Sequence, residues 1–151
     1  MRIVTWNVNG IRAAIRKGLD DFVERINPSI LLLQETRALQ EQLPSQWKPG
    51  LEHSHLHPAE KKGYAGVDSW AIEPFKVCGT GIDTSLDPAD SEGRMLHTIH
   101  DGVHCLNCYH PSGSNKEERQ IWKEQWMEDL LEWARPFTTL DAPVLLCGDL
   151  N

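Results

Sequence analysis

The sequence predicts an α/β domain whose strands run out into clusters of polar side chains. Three observations carry that expectation. The apolar runs Ile3-Val4-Thr5-Trp6, Ile30-Leu31-Leu32-Leu33 and Val144-Leu145-Leu146-Cys147 have the length and composition of buried strands. Segments of helical periodicity lie between them. Each run then turns abruptly into amides and carboxylates: Asn7-Val8-Asn9-Gly10, Gln34-Glu35-Thr36 and Gly148-Asp149-Leu150-Asn151. Ligands and catalytic groups gather at such strand ends in sheet-based α/β folds.

Taken in order, the chain opens with a strand at 2–8 and a helix at 11–26 that Gly18 interrupts. Leu19, Phe22, Val23 and Ile26 follow the i, i+3, i+4, i+7 spacing of one buried helix face. A strand at 29–34 leads into a stretch containing proline and histidine, to about residue 62. Antiparallel strands are expected at 63–72, 74–80, 93–100 and 103–109. The Asp-, Ser- and Thr-rich segment 81–91, with Pro88, reads as loop. A long amphipathic helix at about 115–135 puts Trp122, Trp126, Leu130 and Trp133 on one stripe, with Met127, Leu131 and Ala134 beside it. Periodicity assigns these indoles to core. Lys116, Arg119 and Lys123 line another face. Pro136 suits an end near Arg135, and strand 143–147 follows.

A length of 151 residues, 40% of them hydrophobic, suits one ordinary domain with a real core. No run approaches the ~18 apolar residues of a membrane span, and no cationic-then-apolar leader opens the sequence. A cytoplasmic protein without membrane attachment is expected. The net charge of −7 weighs against non-specific nucleic-acid binding. Charge is uneven, though. Residues 1–37 hold Arg2, Arg12, Arg16, Lys17, Arg25 and Arg37 against Asp20, Asp21, Glu24 and Glu35. A phosphate-bearing substrate can be held locally, above all beside a cation.

Two clusters suggest metal chemistry and are better explained without it. Cys105-Leu106-Asn107-Cys108 is formally C-x-x-C, but a spacing of three on a strand sends the sulfurs to opposite faces. Buried free thiols are expected instead. His53, His55 and His57 share one strand face, yet no fourth ligand follows from spacing. A solvated edge strand is expected there.

The three strand endings make a more coherent set. Glu35 is a hard oxygen ligand of the kind Mg²⁺ prefers. Asn7 can add an amide oxygen or orient Glu35. Asp149 can accept a proton from water, and Asn151 can donate to an oxyanion. Alternation places Asp149 with Asn151, and Asn7 with Asn9, on common sides of extended chain. One cation, one base and neutral donors suit phosphoester hydrolysis. Asn and Asp also simply make turns after strands. Three such endings, joined by the loop Tyr109-His110-Pro111-Ser112-Gly113, favour a site.

These residues also resemble a known family. Ile3-Val4-Thr5-Trp6-Asn7-Val8-Asn9-Gly10-Ile11-Arg12-Ala13, Leu33-Gln34-Glu35-Thr36, Lys62-Gly63-Tyr64-Ala65-Gly66-Val67, Glu92-Gly93-Arg94, Asn107-Cys108-Tyr109-His110-Pro111-Ser112-Gly113 and Gly148-Asp149-Leu150-Asn151 appear in that order. The order resembles the exonuclease III family of apurinic/apyrimidinic endonucleases, in the endonuclease/exonuclease/phosphatase superfamily. The resemblance implies a four-layer α/β/β/α sandwich. It implies Mg²⁺, or Mn²⁺ in its place, with Glu35 as principal ligand and Asn7, Asp149 and Asn151 completing the metal site. It further implies that Tyr109 contacts the scissile phosphate, that Asp149 positions and deprotonates the attacking water, and that Asn151 stabilises the transition state. Arg12 would face the DNA backbone. The implied substrate is double-stranded DNA with abasic sites or 3′ ends, cut 5′ to the abasic site, with 3′-to-5′ exonuclease or 3′-phosphatase activity, by a monomer.

Three features depart from the pattern. Asn9 stands where many members have Asp. Asp68 stands where a small apolar residue is usual on a buried strand. An unpaired carboxylate there would be protonated or cost several kcal/mol, disturbing local packing. Family members also continue for roughly another hundred residues. Residues 1–151 are therefore expected to be an incomplete domain truncated after a core strand, inactive as they stand. Two alternatives remain beside the nuclease reading: another phosphoesterase of the superfamily, and an inactive fragment or module that a second chain completes.

Overall fold

Two four-stranded sheets stack face to face, with helices on their outer faces. The structure is a computed structural model and describes residues 1–44, 47, 49–82, 84, 86–87, 90–113 and 117–151. The first sheet holds β1 (Ile3–Asn7), β2 (Ile30–Gln34), β3 (His53–His57) and β4 (Val67–Ala71) in the order β1-β2-β4-β3. The second holds β5 (Lys76–Thr80), β6 (Met95–His100), β7 (Val103–Tyr109) and β8 (Val144–Asp149) in sequence order.

Among the described residues only β1–β2 and β7–β8 pair in parallel. A parallel pair needs a crossover, and helices supply both. The helices α1 (Ile11–Arg16) and α2 (Leu19–Ile26) link β1 to β2, and α3 (Glu117–Ala134) lies between β7 and β8. Parallel pairing brings the C-terminal ends of partner strands together. Asn7 therefore lies beside Gln34, and Tyr109 beside Asp149.

Three apolar layers fill the sandwich. Leu31 and Leu33 of β2 pack outward with Ile11, Leu19, Val23, Trp47 and Trp70. Ile30, Leu32, Ala71 and Cys105 meet between the sheets. Met95, Leu106 and Cys108 pack outward against Trp126 and Leu130 of α3. The four-layer α/β arrangement expected from the sequence is present. Cys105 and Cys108 face opposite layers as free buried thiols. Burial pushes the Cys105 thiol up to about 11.

The helix break falls at Gly18, whose φ of 96° is left-handed. The strand expected at 63–72 is confined to β4, because Gly63, Ala65 and Gly66 all take positive φ and form a turn. Strand β8 runs two residues further than expected, through Asp149. Trp126 and Leu130 are buried and Trp122 and Trp133 half-buried, as the stripe implied. Met127 and Leu131, expected beside it, are exposed. The expected first residues of this helix, Asn115 and Lys116, lie outside the described residues, as does Pro88.

β3 is an edge strand, and His57 Nε2 pairs with Asp90 Oδ2 at 3.0 Å. Asp68 disturbs the packing less than expected. β4 stays regular, and Trp70 Nε1 donates to Asp68 Oδ2 at 2.7 Å. The other oxygen, Oδ1, has no partner among the described residues, and burial raises the carboxyl to about 7.

Candidate active site

Four strand ends converge on one polar patch. At the end of β1, Asn7 Oδ1 accepts the Asn9 N–H at 2.9 Å, the closure that Asn side chains make in tight turns. Asn9 and Gly10 then take φ of 45° and 98°, turning the chain into α1. The amide of Asn7 is left free to point the other way. Its Nδ2 donates to Asp149 Oδ2 at the end of β8, 142 residues on.

Glu35 follows β2 directly. Main-chain bonds stitch it to the β1 turn: the Gly10 N–H donates to the Glu35 carbonyl at 2.8 Å and the Ile11 N–H to the Thr36 carbonyl at 2.9 Å. Glu35 has a φ of 56°. Non-glycine residues seldom adopt that region, and it clusters at functional sites. Its carboxylate is 14% exposed and pairs with the Arg37 guanidinium.

Asp149 depends on Gly148. A Cβ at Gly148 would lie 1.9 Å from the Cys108 carbonyl, and its φ is 134°, so only glycine lets β8 lie this close to β7. Asp149 Oδ1 accepts the Asn151 N–H at 3.0 Å. Asn151 Nδ2 donates to the His110 carbonyl at 2.8 Å, and the His110 N–H donates to the Asp149 carbonyl at 2.9 Å. Lys123 Nζ donates to the Asn151 carbonyl at 3.0 Å. Asn151 is thus held by His110, just past β7, by Lys123 of α3 and by Asp149 itself.

Tyr109 ends β7 opposite Asp149. Burial pushes its hydroxyl up to about 12; Glu35 and Asp149 add to this and Arg94 opposes it. Tyr109 is therefore a neutral hydrogen-bond donor at physiological pH. Its hydroxyl makes no hydrogen bond among the described residues. Arg12, one residue into α1, is exposed.

The structure thus brings Asn7, Glu35, Tyr109, Asp149 and Asn151 to neighbouring strand ends, while Arg12 lies exposed in the first turn of α1 with no hydrogen bond to any of them among the described residues. Glu35 and Asp149 offer hard carboxylate oxygens of the kind a divalent cation such as Mg²⁺ takes, and Asn7 Oδ1, bonded to the Asn9 N–H, keeps one lone pair. Among the described residues no three His, Cys, Asp or Glu side chains form a fuller metal cage. No described helix is long and apolar enough to cross a membrane.

Comparison with known proteins decides the family. Residues 4–151 match the endonuclease/exonuclease/phosphatase family model. The chain belongs to this family. It is 35% identical to an exodeoxyribonuclease of Bacillus subtilis, matching all of this chain and 58% of that protein. It is 34% identical to the DNA repair nuclease APEX1 of Danio rerio, matching all of this chain and 49% of that protein. Among solved structures, a 3′-5′ exonuclease from Neisseria meningitidis superposes with a TM-score of 0.83 at 28% identity, covering 100% of this chain and 58% of its own. An AP endonuclease from Archaeoglobus fulgidus gives 0.82 at 27% identity, covering 99% and 56%. The chain spans about half the length of the relatives it matches.

Around this polar patch, sequence reasoning missed the supporting groups. Gln34 Nε2 donates to Asn107 Oδ1 at 2.7 Å, and Asn107 Nδ2 donates to the Asp68 carbonyl at 2.9 Å, a polar bridge between the sheets. Glu92, Arg94, Arg119 and Tyr64 form a cluster behind Tyr109. Burial alone would raise the Glu92 carboxyl, but Arg119 and Arg94 outweigh it and hold it below the usual range. The only signal was a polar Gln34 and Asn107 inside apolar strands, and the compact Glu-Gly-Arg triplet.

Proposed function

We propose that the site belongs to a Mg²⁺-dependent DNA-repair phosphodiesterase of exonuclease III type. It cuts 5′ to abasic sites and trims 3′ ends as an exonuclease or 3′-phosphatase. The observation that carries this reading is Asp149. Its two oxygens are fixed by the Asn7 amide and the Asn151 N–H, beside a neutral Tyr109 hydroxyl. A carboxylate so held can orient a water and take its proton.

In this mechanism the water oxygen attacks phosphorus while Asp149 receives its proton. The bond from phosphorus to the 3′ oxygen breaks, and that oxygen takes a proton from solvent. Tyr109 donates to a non-bridging phosphate oxygen. Asn151 spends one amide hydrogen on His110 and offers the other to the developing negative charge. Glu35, with Asn7, would hold the Mg²⁺, or Mn²⁺ in its place. The bound cation supplies charge neutralisation at the phosphate. Arg12 faces the DNA backbone, and double-stranded DNA is the substrate of a monomeric enzyme.

The test is incision of a duplex carrying one abasic site, with Mg²⁺, by the product of the whole reading frame. Cleavage leaving a 3′-hydroxyl and a 5′ sugar phosphate supports the reading. Release of inorganic phosphate from small phosphoesters, with the duplex left intact, overturns it in favour of another phosphoesterase.

A further inference from the structure

Arg94 carries its charge on a side chain only 3% exposed. Taking a guanidinium out of water is costly unless its N–H groups are matched. Three different groups match them. Nε donates to Glu92 Oε2 at 2.6 Å, Nη1 to the Tyr109 carbonyl at 2.9 Å, and Nη2 to the Tyr64 hydroxyl at 3.4 Å. The guanidinium carbon also lies 4.8 Å from the centre of the Tyr109 ring. The Tyr109 N–H donates back to the Arg94 carbonyl at 2.8 Å. One residue therefore grips Tyr109 by its amide, its carbonyl and its ring face.

The grip is itself anchored. The Asp90 carboxylate accepts the N–H groups of Arg94 and Met95. Glu92 is shared with Arg119 at 3.0 Å. The same loop reaches the Glu35 segment: the Gly66 N–H donates to the Glu92 carbonyl at 3.3 Å, and the Gly66 carbonyl accepts the Thr36 N–H at 3.1 Å. A buried ion pair alone would require only Glu92. The contacts to the Tyr109 carbonyl and ring go beyond it.

We infer that Arg94 is a positioning residue, setting the direction of the Tyr109 hydroxyl relative to Glu35 and Asp149. This rests on the reading of Tyr109 as a phosphate contact. Lysine cannot replace it, because one ammonium cannot stack on a ring and serve three acceptors in a fixed plane.

The test combines kinetics with tyrosine ¹³Cζ NMR on the product of the whole reading frame, Tyr109→Phe assigning the resonance. In Arg94→Lys, kcat for abasic-duplex incision falls roughly ten- to hundredfold, KM stays within about twofold, and the Tyr109 resonance moves. Val23→Ala, on the buried face of α2, lowers the melting temperature but leaves that resonance in place. If Arg94→Lys does not fold, Glu92→Gln gives the same signature more weakly. An unmoved Tyr109 resonance, or a loss confined to KM, overturns the inference. A parent protein that incises no abasic duplex overturns the nuclease reading instead, and the Tyr109 resonance then decides the positioning by itself.

Discussion

Asp68→Asn should change how stability depends on pH. Asp68 is fully buried on β4, with Trp70 donating to one oxygen at 2.7 Å and, among the described residues, no well-formed hydrogen bond reaching the other. Its carboxyl is raised from 3.8 to about 7, chiefly by burial. The folded state therefore holds the proton more tightly than the unfolded chain. The associated stability is fully present below pH 4, drains away as the unfolded chain ionises, and is gone above pH 7. At ~1.4 kcal/mol per tenfold change in proton affinity, the loss across that window is about 4 kcal/mol. His100 works in the opposite direction. Burial lowers it to about 4, so it costs stability as pH falls below 6.5. The two effects partly cancel in the parent, and only the difference between parent and variant isolates Asp68. Asparagine keeps the shape and the Trp70 bond but cannot ionise. Urea unfolding of both proteins at pH 4, 5.5 and 7.5 gives that difference. The variant should gain about 4 kcal/mol relative to the parent between the lowest and highest pH. A difference that stays constant across the range would refute the argument, because Asp68 would then titrate alike in folded and unfolded chains.

Other outcomes follow from the site. Glu35→Ala should remove Mg²⁺-dependent incision while leaving the fold intact; parent-like activity at low Mg²⁺ would dismiss Glu35 as the principal ligand. Asp149→Asn should slow single-turnover cleavage by ~10²–10⁴ with little change in DNA affinity, and a defect seen only in binding would show that Asp149 is not the base. Gly148→Ala drives a Cβ into the Cys108 carbonyl and should cost about 3 kcal/mol or more; a thermal melt matching the parent would mean that β7 and β8 part easily.

Local pattern determined a large part of this protein. The strands at both ends, the helix break at Gly18 and the buried face of α3 follow from hydrophobic period and from glycine's backbone freedom, which act over a few residues. The polar endings at Asn7, Glu35, Asp149 and Asn151 were legible for the same reason, since an apolar run that stops at an amide or carboxylate is visible in the sequence alone; only the family resemblance singles out Tyr109. Met127 and Leu131 were not legible, because helical phase gives a stripe but not its width. What tertiary structure alone decided was partnership. Asn7 meets Asp149 across 142 residues, Gln34 meets Asn107 across 73, and Arg94 reaches around Tyr109 from the segment just before β6. A buried polar group must find a partner, but period and composition do not say which one. Sheet stacking and the two parallel crossovers make that choice, and they turn separate strand endings into one site.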